Sequence, residues 1–241
     1  MNIVLIGYGR MGKTIERLGL DQGLKIHGAI DMDTSKEERE RLLKEGDVAI
    51  EFSHPSAAID NIKEALAHGI AVVSGTTGWL DQKDEVLQLL DQQKGSLLYA
   101  SNFSIGVNVL FAINKKLGAI MDNYPSYEVK VEEVHHVHKK DAPSGTALTL
   151  IDGITSHVSR KDQWSLTEEG PATVKIDAHR EGEVFGDHKV TYSSPIDTLE
   201  LSHSAHTRDG FAQGALLAAT WLYNNGNPHK GWKSMSDMMG L

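Results

Sequence analysis

The sequence predicts an α/β protein built in two parts. A doubly wound parallel sheet occupies residues 1–103, and an α+β domain on an open mixed sheet occupies residues 104–206. Two observations carry this expectation. Over the first hundred residues, short apolar runs alternate with helical stretches, the rhythm of a parallel sheet with helices on both faces. After Phe103 the strand-like runs instead alternate apolar and polar residues, as in a sheet covered on one face only.

In chain order, residues 3–6, 24–30, 48–52, 70–74 and 97–100 predict strands, and residues 11–18, 36–44, 56–67 and 80–92 predict the helices between them. The first strand opens into Gly7-Tyr8-Gly9-Arg10-Met11-Gly12 at the mouth of the first helix. In this G-x-G-x-x-G spacing the first glycine permits a tight turn and the second lets the backbone approach a pyrophosphate. The third allows close helix–strand packing. Its place between strand and helix separates a Rossmann-type nucleotide site from an ordinary glycine-rich turn. Asp31 ends the second strand, 24 residues after Gly7, where a carboxylate accepts hydrogen bonds from ribose hydroxyls. Gly75, Thr76 and Thr77 follow the fourth strand, and Ala100, Ser101, Asn102 and Phe103 lie at the end of the fifth. Carboxyl ends of strands in such a sheet face the ligand crevice.

In the second part, residues 107–121 and 146–158 read as helices, and residues 127–134, 173–178, 189–192 and 199–203 as strands. Residues 160–171 have few apolar side chains and no periodicity, so they read as a loop. Residues 210–223 form an Ala/Leu-rich helix, followed by an Asn/Gly/Pro break at 224–228.

Composition narrows the function. The formal charge of −9 argues against bulk nucleic-acid binding, which needs a basic face. There is no Cys, hence no disulfide and no thiolate metal site, which favours a reducing compartment. The opening Met-Asn-Ile-Val-Leu-Ile-Gly has no basic region and too short an apolar run for a secretory leader. No stretch approaches membrane-spanning length. A cytoplasmic protein with no membrane partner is the expectation.

Against that acidic background, residues 133–147 (E-V-H-H-V-H-K-K-D-A-P-S-G-T-A) concentrate three imidazoles and two ammonium groups at one strand end. A helix then starts at Ser144-Gly145-Thr146. Its free N–H groups and positive dipole end suit an anion. A proton-bearing basic group beside a carboxylate seat suggests a small acidic substrate. The blander readings differ by residue. Lys139 and Lys140 also suit a solvated turn, and Ser144 suits a helix N-cap better than a nucleophile, since its P-S-G setting is no hydrolase elbow. A metal site at His135, His136 and His138 is disfavoured: no H-E-x-x-H or Cys is present, and two lysines would oppose a cation.

Taken together, the glycine motif, G-T-T at residues 75–77, A-S-N-F-S at 100–104 and the S-G-T-A run resemble one family in order and rough spacing. It is the 4-hydroxy-tetrahydrodipicolinate reductase (dihydrodipicolinate reductase) family, nicotinamide-dependent reductases of the diaminopimelate route to lysine. The family's glycine loop is usually one residue longer than the one here. By this resemblance, Gly7, Gly9, Arg10, Met11, Gly12 and Asp31 hold the dinucleotide. Gly75, Thr76 and Thr77, with Ala100, Ser101, Asn102 and Phe103, contact its nicotinamide half. His135 takes the catalytic acid/base role and Lys139 acts as a proton donor, while His136, Ser144, Gly145 and Thr146 hold a small dicarboxylate. Arg180, Gly186, His188 and Arg208 lie in runs the family shares, without an assigned role, and Lys140 matches no functional position. Residues 207–241 are expected to pack back on the first domain, and a homotetramer to assemble through the second. No metal is expected.

NADH is favoured over NADPH, because Asp31 would repel a 2′-phosphate and Met32 stands where some members carry a phosphate-binding Arg. Arg10, Lys13 and Lys36 would partly compensate, so NADPH use stays possible. Two rival readings remain: another two-domain dehydrogenase, and a regulator that binds NAD without turnover. The absence of Cys counts against an acylating semialdehyde dehydrogenase.

Overall fold

The computed structural model describes residues 1–224 and 228–241. In chain order the elements are β1 (Asn2–Ile6), α1 (Arg10–Asp21), β2 (Lys25–Ile30), α2 (Lys36–Glu45), β3 (Val48–Glu51), α3 (Pro55–Ala67), β4 (Ala71–Ser74), α4 (Lys83–Gln93) and β5 (Ser96–Tyr99). There follow α5 (Ile105–Met121), β6 (Glu128–His135), α6 (Gly145–Thr155), β7 (Gln163–Ser165), β8 (Thr173–Arg180), β9 (Asp187–Ser193) and β10 (Thr198–Ser204). The chain closes with α7 (Asp209–Tyr223), β11 (Gly231–Lys233) and α8 (Met235–Met239). Two compact units result, one of Met1–Ser104 with Asp209–Leu241 and one of Ile105–Arg208.

The first unit is a six-stranded parallel sheet in the order β11-β5-β4-β3-β1-β2. Strands β1, β3 and β4 are almost wholly buried because helices cover both faces. Chain direction across the sheet reverses between β1 and β3, and crevices open at the carboxyl ends of strands at such a switch point. Helix α7 packs on α1 and against β3, β4 and β5.

The second unit is a five-stranded mixed sheet, β10-β9-β6-β8-β7, with β6, β7 and β8 parallel and β9 antiparallel to β6 and β10. One face buries Val129, Val131, Val174, Ile176, Val190 and Tyr192 beneath Leu110 of α5 and Leu150, Ile151 and Ile154 of α6. The other face is polar: Lys130 lies 4.0 Å from Asp177, and Lys189 3.3 Å from Glu132. Among the described residues, β10 and β7 pair on one side only.

Three readings of the sequence need correction. The segment 160–171 is not all loop, because β7 pairs in parallel with β8. It escaped notice because three edge residues show no periodicity, and Trp164 is exposed. Lys161 in the same segment is buried, donating to Glu128 at 2.7 Å and to the Thr173 carbonyl at 3.1 Å. The helix expected from residue 80 starts as a 3-10 turn (Leu80–Gln82) before α4. Finally, β11 and α8 had no counterpart in the sequence reading; β11 is ordered by pairing with β5, and α8 by a Ser234–Asp237 capping box. The break expected at 224–228 lies mostly outside the described residues.

Candidate active site

In the first unit, Gly7 has φ +92°, and a Cβ there would meet the Phe52 carbonyl oxygen at 2.2 Å. Only glycine fits such a turn. A Cβ on Gly12 would fall 2.3 Å from the Gly7 carbonyl oxygen, so the third glycine lets α1 close onto the turn. Gly9 is the N-cap of α1, with open space at its Cβ position, no side-chain cap and no acidic residue in the first helical turn. That leaves a helix terminus suited to a pyrophosphate, flanked by exposed Arg10 and half-buried Met11. The Gly7 N–H donates to the Ile30 carbonyl at 2.8 Å, which brings Asp31 alongside the glycine turn. Asp31 is exposed; its carboxylate accepts from the Met32 N–H at 3.0 Å, and the Met32 side chain stands open to solvent. The glycine cradle, the uncapped helix and the free edge of Asp31 fit a dinucleotide.

The ends of β3 and β4 meet at Glu51, which is fully buried. Its carboxylate accepts from the Ser53 N–H (3.1 Å), the Ser53 hydroxyl, the Ser74 hydroxyl (2.9 Å) and the Thr76 hydroxyl (2.9 Å). The Gly75 N–H donates to the Glu51 carbonyl at 2.9 Å. A Cβ on Gly75 would collide with the Phe52 ring at 2.2 Å, and that ring packs 5.5 Å from Phe103. Of the predicted cofactor contacts, Thr76 and Phe103 are therefore buried, with the Thr76 hydroxyl engaged by Glu51. Thr77 and Ser101 are exposed, and Asn102 accepts from the Ser104 N–H at 2.9 Å. The Ala100 N–H donates to the Ser74 carbonyl at 3.2 Å, linking the ends of β4 and β5.

In the second unit, strand β6 ends at His135, so alternation does not extend to the following histidines. His135 is buried, His136 half-buried, and His138 exposed beside Glu183. Glu133, one inward step before His135, is fully buried. Its carboxylate lies 3.6 Å from His135 Nδ1 and 3.8 Å from His188 Nε2, accepts from Arg180 Nη2 at 3.2 Å, and receives the Ser144 N–H at 3.1 Å on each oxygen. Ser144 is the N-cap of α6: its hydroxyl accepts from the Ala147 N–H at 3.2 Å and lies 3.3 Å from His188 Nε2. Gly145 is exposed and Thr146 half-buried in a first turn with no acidic side chain. The Lys139 ammonium pairs with Asp141 at 2.9 Å. Arg180 secures that loop, donating through Nε to the Lys139 carbonyl at 3.3 Å and through Nη2 to the Asp141 carbonyl.

Burial lowers the proton affinity of His135; Glu133 opposes the shift, and Lys139 and Arg180 add to it. His188 is pushed down to about 3, chiefly by burial and then by the neighbouring imidazoles of His135 and His203. Both rings are thus neutral bases near pH 7. The structure brings His135 and Ser144 against Glu133, and Arg180 ties the Lys139–Asp141 loop to the same carboxylate. Lys140 is exposed, and Arg208 sits 5.3 Å over the Phe185 ring. Glu133 and His188 belong to the cluster, and their parts in it went unread in the sequence. The available signal was parity: Glu133 shares the inward face with Val129 and Val131.

Comparison with known proteins agrees across nearly the whole chain. Residues 1–103 match the family model described as dihydrodipicolinate reductase, N-terminus, and residues 106–239 the one described as dihydrodipicolinate reductase, C-terminus. The 4-hydroxy-tetrahydrodipicolinate reductase of Christiangramia forsetii is 46% identical, over 92% of each chain. The enzyme of that name from Zymomonas mobilis is 37% identical, covering 100% of this chain and 98% of its own. The fold matches a dipicolinate-bound dihydrodipicolinate reductase from Paenisporosarcina sp. TG-14, with TM-score 0.78, 19% identity and 97% of each chain covered. With both family models in register along one chain, this protein belongs to the dihydrodipicolinate reductase family.

Proposed function

We propose that this oxidoreductase reduces 4-hydroxy-tetrahydrodipicolinate to tetrahydrodipicolinate with a reduced nicotinamide dinucleotide, in lysine biosynthesis through diaminopimelate. The observation that carries the reading beyond family membership is the joining of His135, the Lys139 loop and the N-terminus of α6 by one ion pair, Glu133–Arg180, whose carboxylate is fully buried. When bound at the glycine cradle, the dihydronicotinamide would supply a hydride to the conjugated C=C–C=N system left after the substrate loses water. The N-terminus of α6 at Ser144, Gly145 and Thr146 draws a carboxylate through its positive dipole end, and His136 is assigned to the same carboxylate by the family resemblance. As charge moves toward the ring nitrogen, the Lys139 ammonium stabilises it and donates the proton the resulting enamine requires. His135, neutral at rest, relays that proton from Lys139 to the substrate.

Several finer points belong to the same proposal. NADH serves at least as well as NADPH, a reading supported by exposed Asp31 beside the glycine turn and the uncharged side chain of Met32. No metal takes part at Glu133, His135 and His188, although their ligand atoms lie within 4.8 Å of one another. Arg180 and the Ser144 N–H already occupy the carboxylate, and a guanidinium beside it opposes a cation. The polar outer face and one-sided edge strands of the second unit suit assembly into a homotetramer, which a stable, active monomer in sedimentation would refute. A cytoplasmic location accords with the absence of Cys, and recovery in a membrane or secreted fraction would contradict it. No helix among the described residues is long and apolar enough to cross a membrane.

One assay tests the core of the reading. The cyclic imine is generated enzymatically in the cuvette, and the absorbances of NADH and NADPH are followed separately. Imine-dependent oxidation is expected, fastest or equal with NADH; no oxidation of either cofactor would sink the assignment.

A further inference from the structure

We infer that Glu133 is a positioning residue of the reductase site: paired with Arg180, it holds His135, Lys139 and the first turn of α6 in one arrangement and sets the charge felt by His135. The inference rests on the functional reading above. Its first support is burial. The preceding inward positions of β6, Val129 and Val131, are apolar and join the core, so packing calls for no polar group at the next one. A carboxylate without solvent is costly to keep unless its oxygens are satisfied. Here they are, by Arg180 Nη2 at 3.2 Å and the Ser144 N–H at 3.1 Å.

The second support is reach. Glu133 stands on β6, and the Ser144 N–H belongs to the N-cap of α6. Arg180, from the end of β8, donates also to the carbonyls of Lys139 and Asp141, the two residues of the ammonium–carboxylate pair. One ion pair therefore binds together the three segments that carry the proposed chemistry.

The third support is the orientation of His135. Its Nδ1 is buried without a hydrogen-bond partner, and the Glu133 carboxylate lies 3.6 Å away. A proton on Nδ1 would face that anion and leave Nε2 as the nitrogen available to a ligand. Gly186 keeps the Nε2 edge clear, since a Cβ there would come within 3.1 Å of Nε2. The other charged or titratable groups around the imidazoles are Lys139 and Asp141 from the loop after β6, Arg180 from β8, His188 from β9 and His203 from β10.

Three variants test the inference: E133Q, R180Q and the double variant E133Q/R180Q. Each is read by NMR titration of the His135 ring, steady-state kinetics with the cyclic imine, and NADH binding by fluorescence. Removing the anion should lower the His135 midpoint, whereas removing the guanidinium should raise it. The value of kcat should fall by about tenfold to a hundredfold in both, the scale of a small misplacement of reacting groups. NADH affinity should hold within about twofold, because the residues lie outside the glycine-cradle unit. A brace with no electrostatic part would leave both midpoints in place, so unmoved midpoints with wild-type kcat would overturn the inference. Should E133Q fail to fold, the double variant decides, since it leaves no buried charge unpaired: a lowered kcat supports the inference, and a wild-type kcat overturns it. If the wild type itself does not oxidise NADH with the imine, the functional reading fails, and the two midpoint shifts alone decide the role of Glu133.

Discussion

Glu51 at the end of β3 and Glu133 near the end of β6 are both fully shielded from solvent, yet their surroundings differ in kind. Glu51 is met by neutral donors only, the Ser53 N–H and the hydroxyls of Ser53, Ser74 and Thr76, all from segments at the ends of β3 and β4. Glu133 faces a guanidinium, a backbone N–H and two imidazoles, drawn from β8, α6, β6 and β9. Hydroxyl donors fix the course of a backbone and do not titrate near neutral pH. Imidazoles make local charge depend on proton occupancy, and the guanidinium adds a fixed positive charge beside them. The first cluster therefore shapes a loop, and the second is the one to which the proposed proton transfer is assigned. Both stand where parallel strands end, so the contrast comes from side-chain chemistry rather than from fold.

The sharpest way to break this contrast is to remove the ammonium of the loop that Arg180 ties to the second cluster. Lys139→Ala deletes a donor and a positive charge, and should lower kcat by about 10²–10⁴, the usual scale for a positioned acid. NADH affinity measured by fluorescence should not change. A near-normal kcat would mean that the proton comes from water or another residue.

Next in size is the first cluster. Glu51→Ala strands several buried hydroxyls and should cost about 2–4 kcal/mol of stability in urea unfolding. Glu51→Gln retains an acceptor and should cost less. In Glu51→Gln the loss should appear as a raised KM for NADH, with the pH profile of kcat unmoved. A shifted pH profile would erase the distinction between the clusters.

The second cluster should also give the fold a pH signature. His188 has an ordinary value of 6.5 and is pushed down to about 3 in the folded state. Above pH 6.5 it is neutral folded or unfolded, and costs nothing. Between these values the unfolded chain binds the proton that the folded chain refuses, so stability falls as pH falls. The slope approaches ~1.4 kcal/mol per pH unit across that window and flattens below it. Denaturation midpoints from pH 7 to 3.5, compared between wild type and His188→Asn, should show a steeper loss in the wild type. Parallel curves would place the ring in a more hydrated setting.

The smallest expected effect concerns cofactor choice. Asp31→Ser combined with Met32→Arg should move preference toward NADPH, by tenfold for each ~1.4 kcal/mol of differential binding. The His135 titration should be untouched. A wild type that already prefers NADPH strongly would mean that Lys13 or Lys36 outweighs Asp31.

Much of this arrangement was legible before any coordinates. The strand–helix rhythm, the glycine turn at residues 7–12 and the change of periodicity after Phe103 are short-range patterns, and local backbone geometry follows from them. Alternation along β6 even assigned Val129 and Val131 to the core side, the side to which Glu133 and His135 also belong. It said nothing of Glu51, because every residue of β3 is buried and a strand covered on both faces has no polar alternate to read. Strands β7 and β11 were invisible for a related reason: with three residues each, they exist through pairing and carry no periodic signal of their own.

The sequence by itself determined the two architectures, the nucleotide turn and the strand end on which the basic residues gather, since each depends on residues within a few positions of one another. Tertiary structure alone decided what neutralises each buried carboxylate. Arg180 lies 47 residues from Glu133, and Thr76 lies 25 from Glu51. A hydrogen bond across such a separation exists only once strands have paired and helices have packed, and no local pattern encodes which donor will arrive.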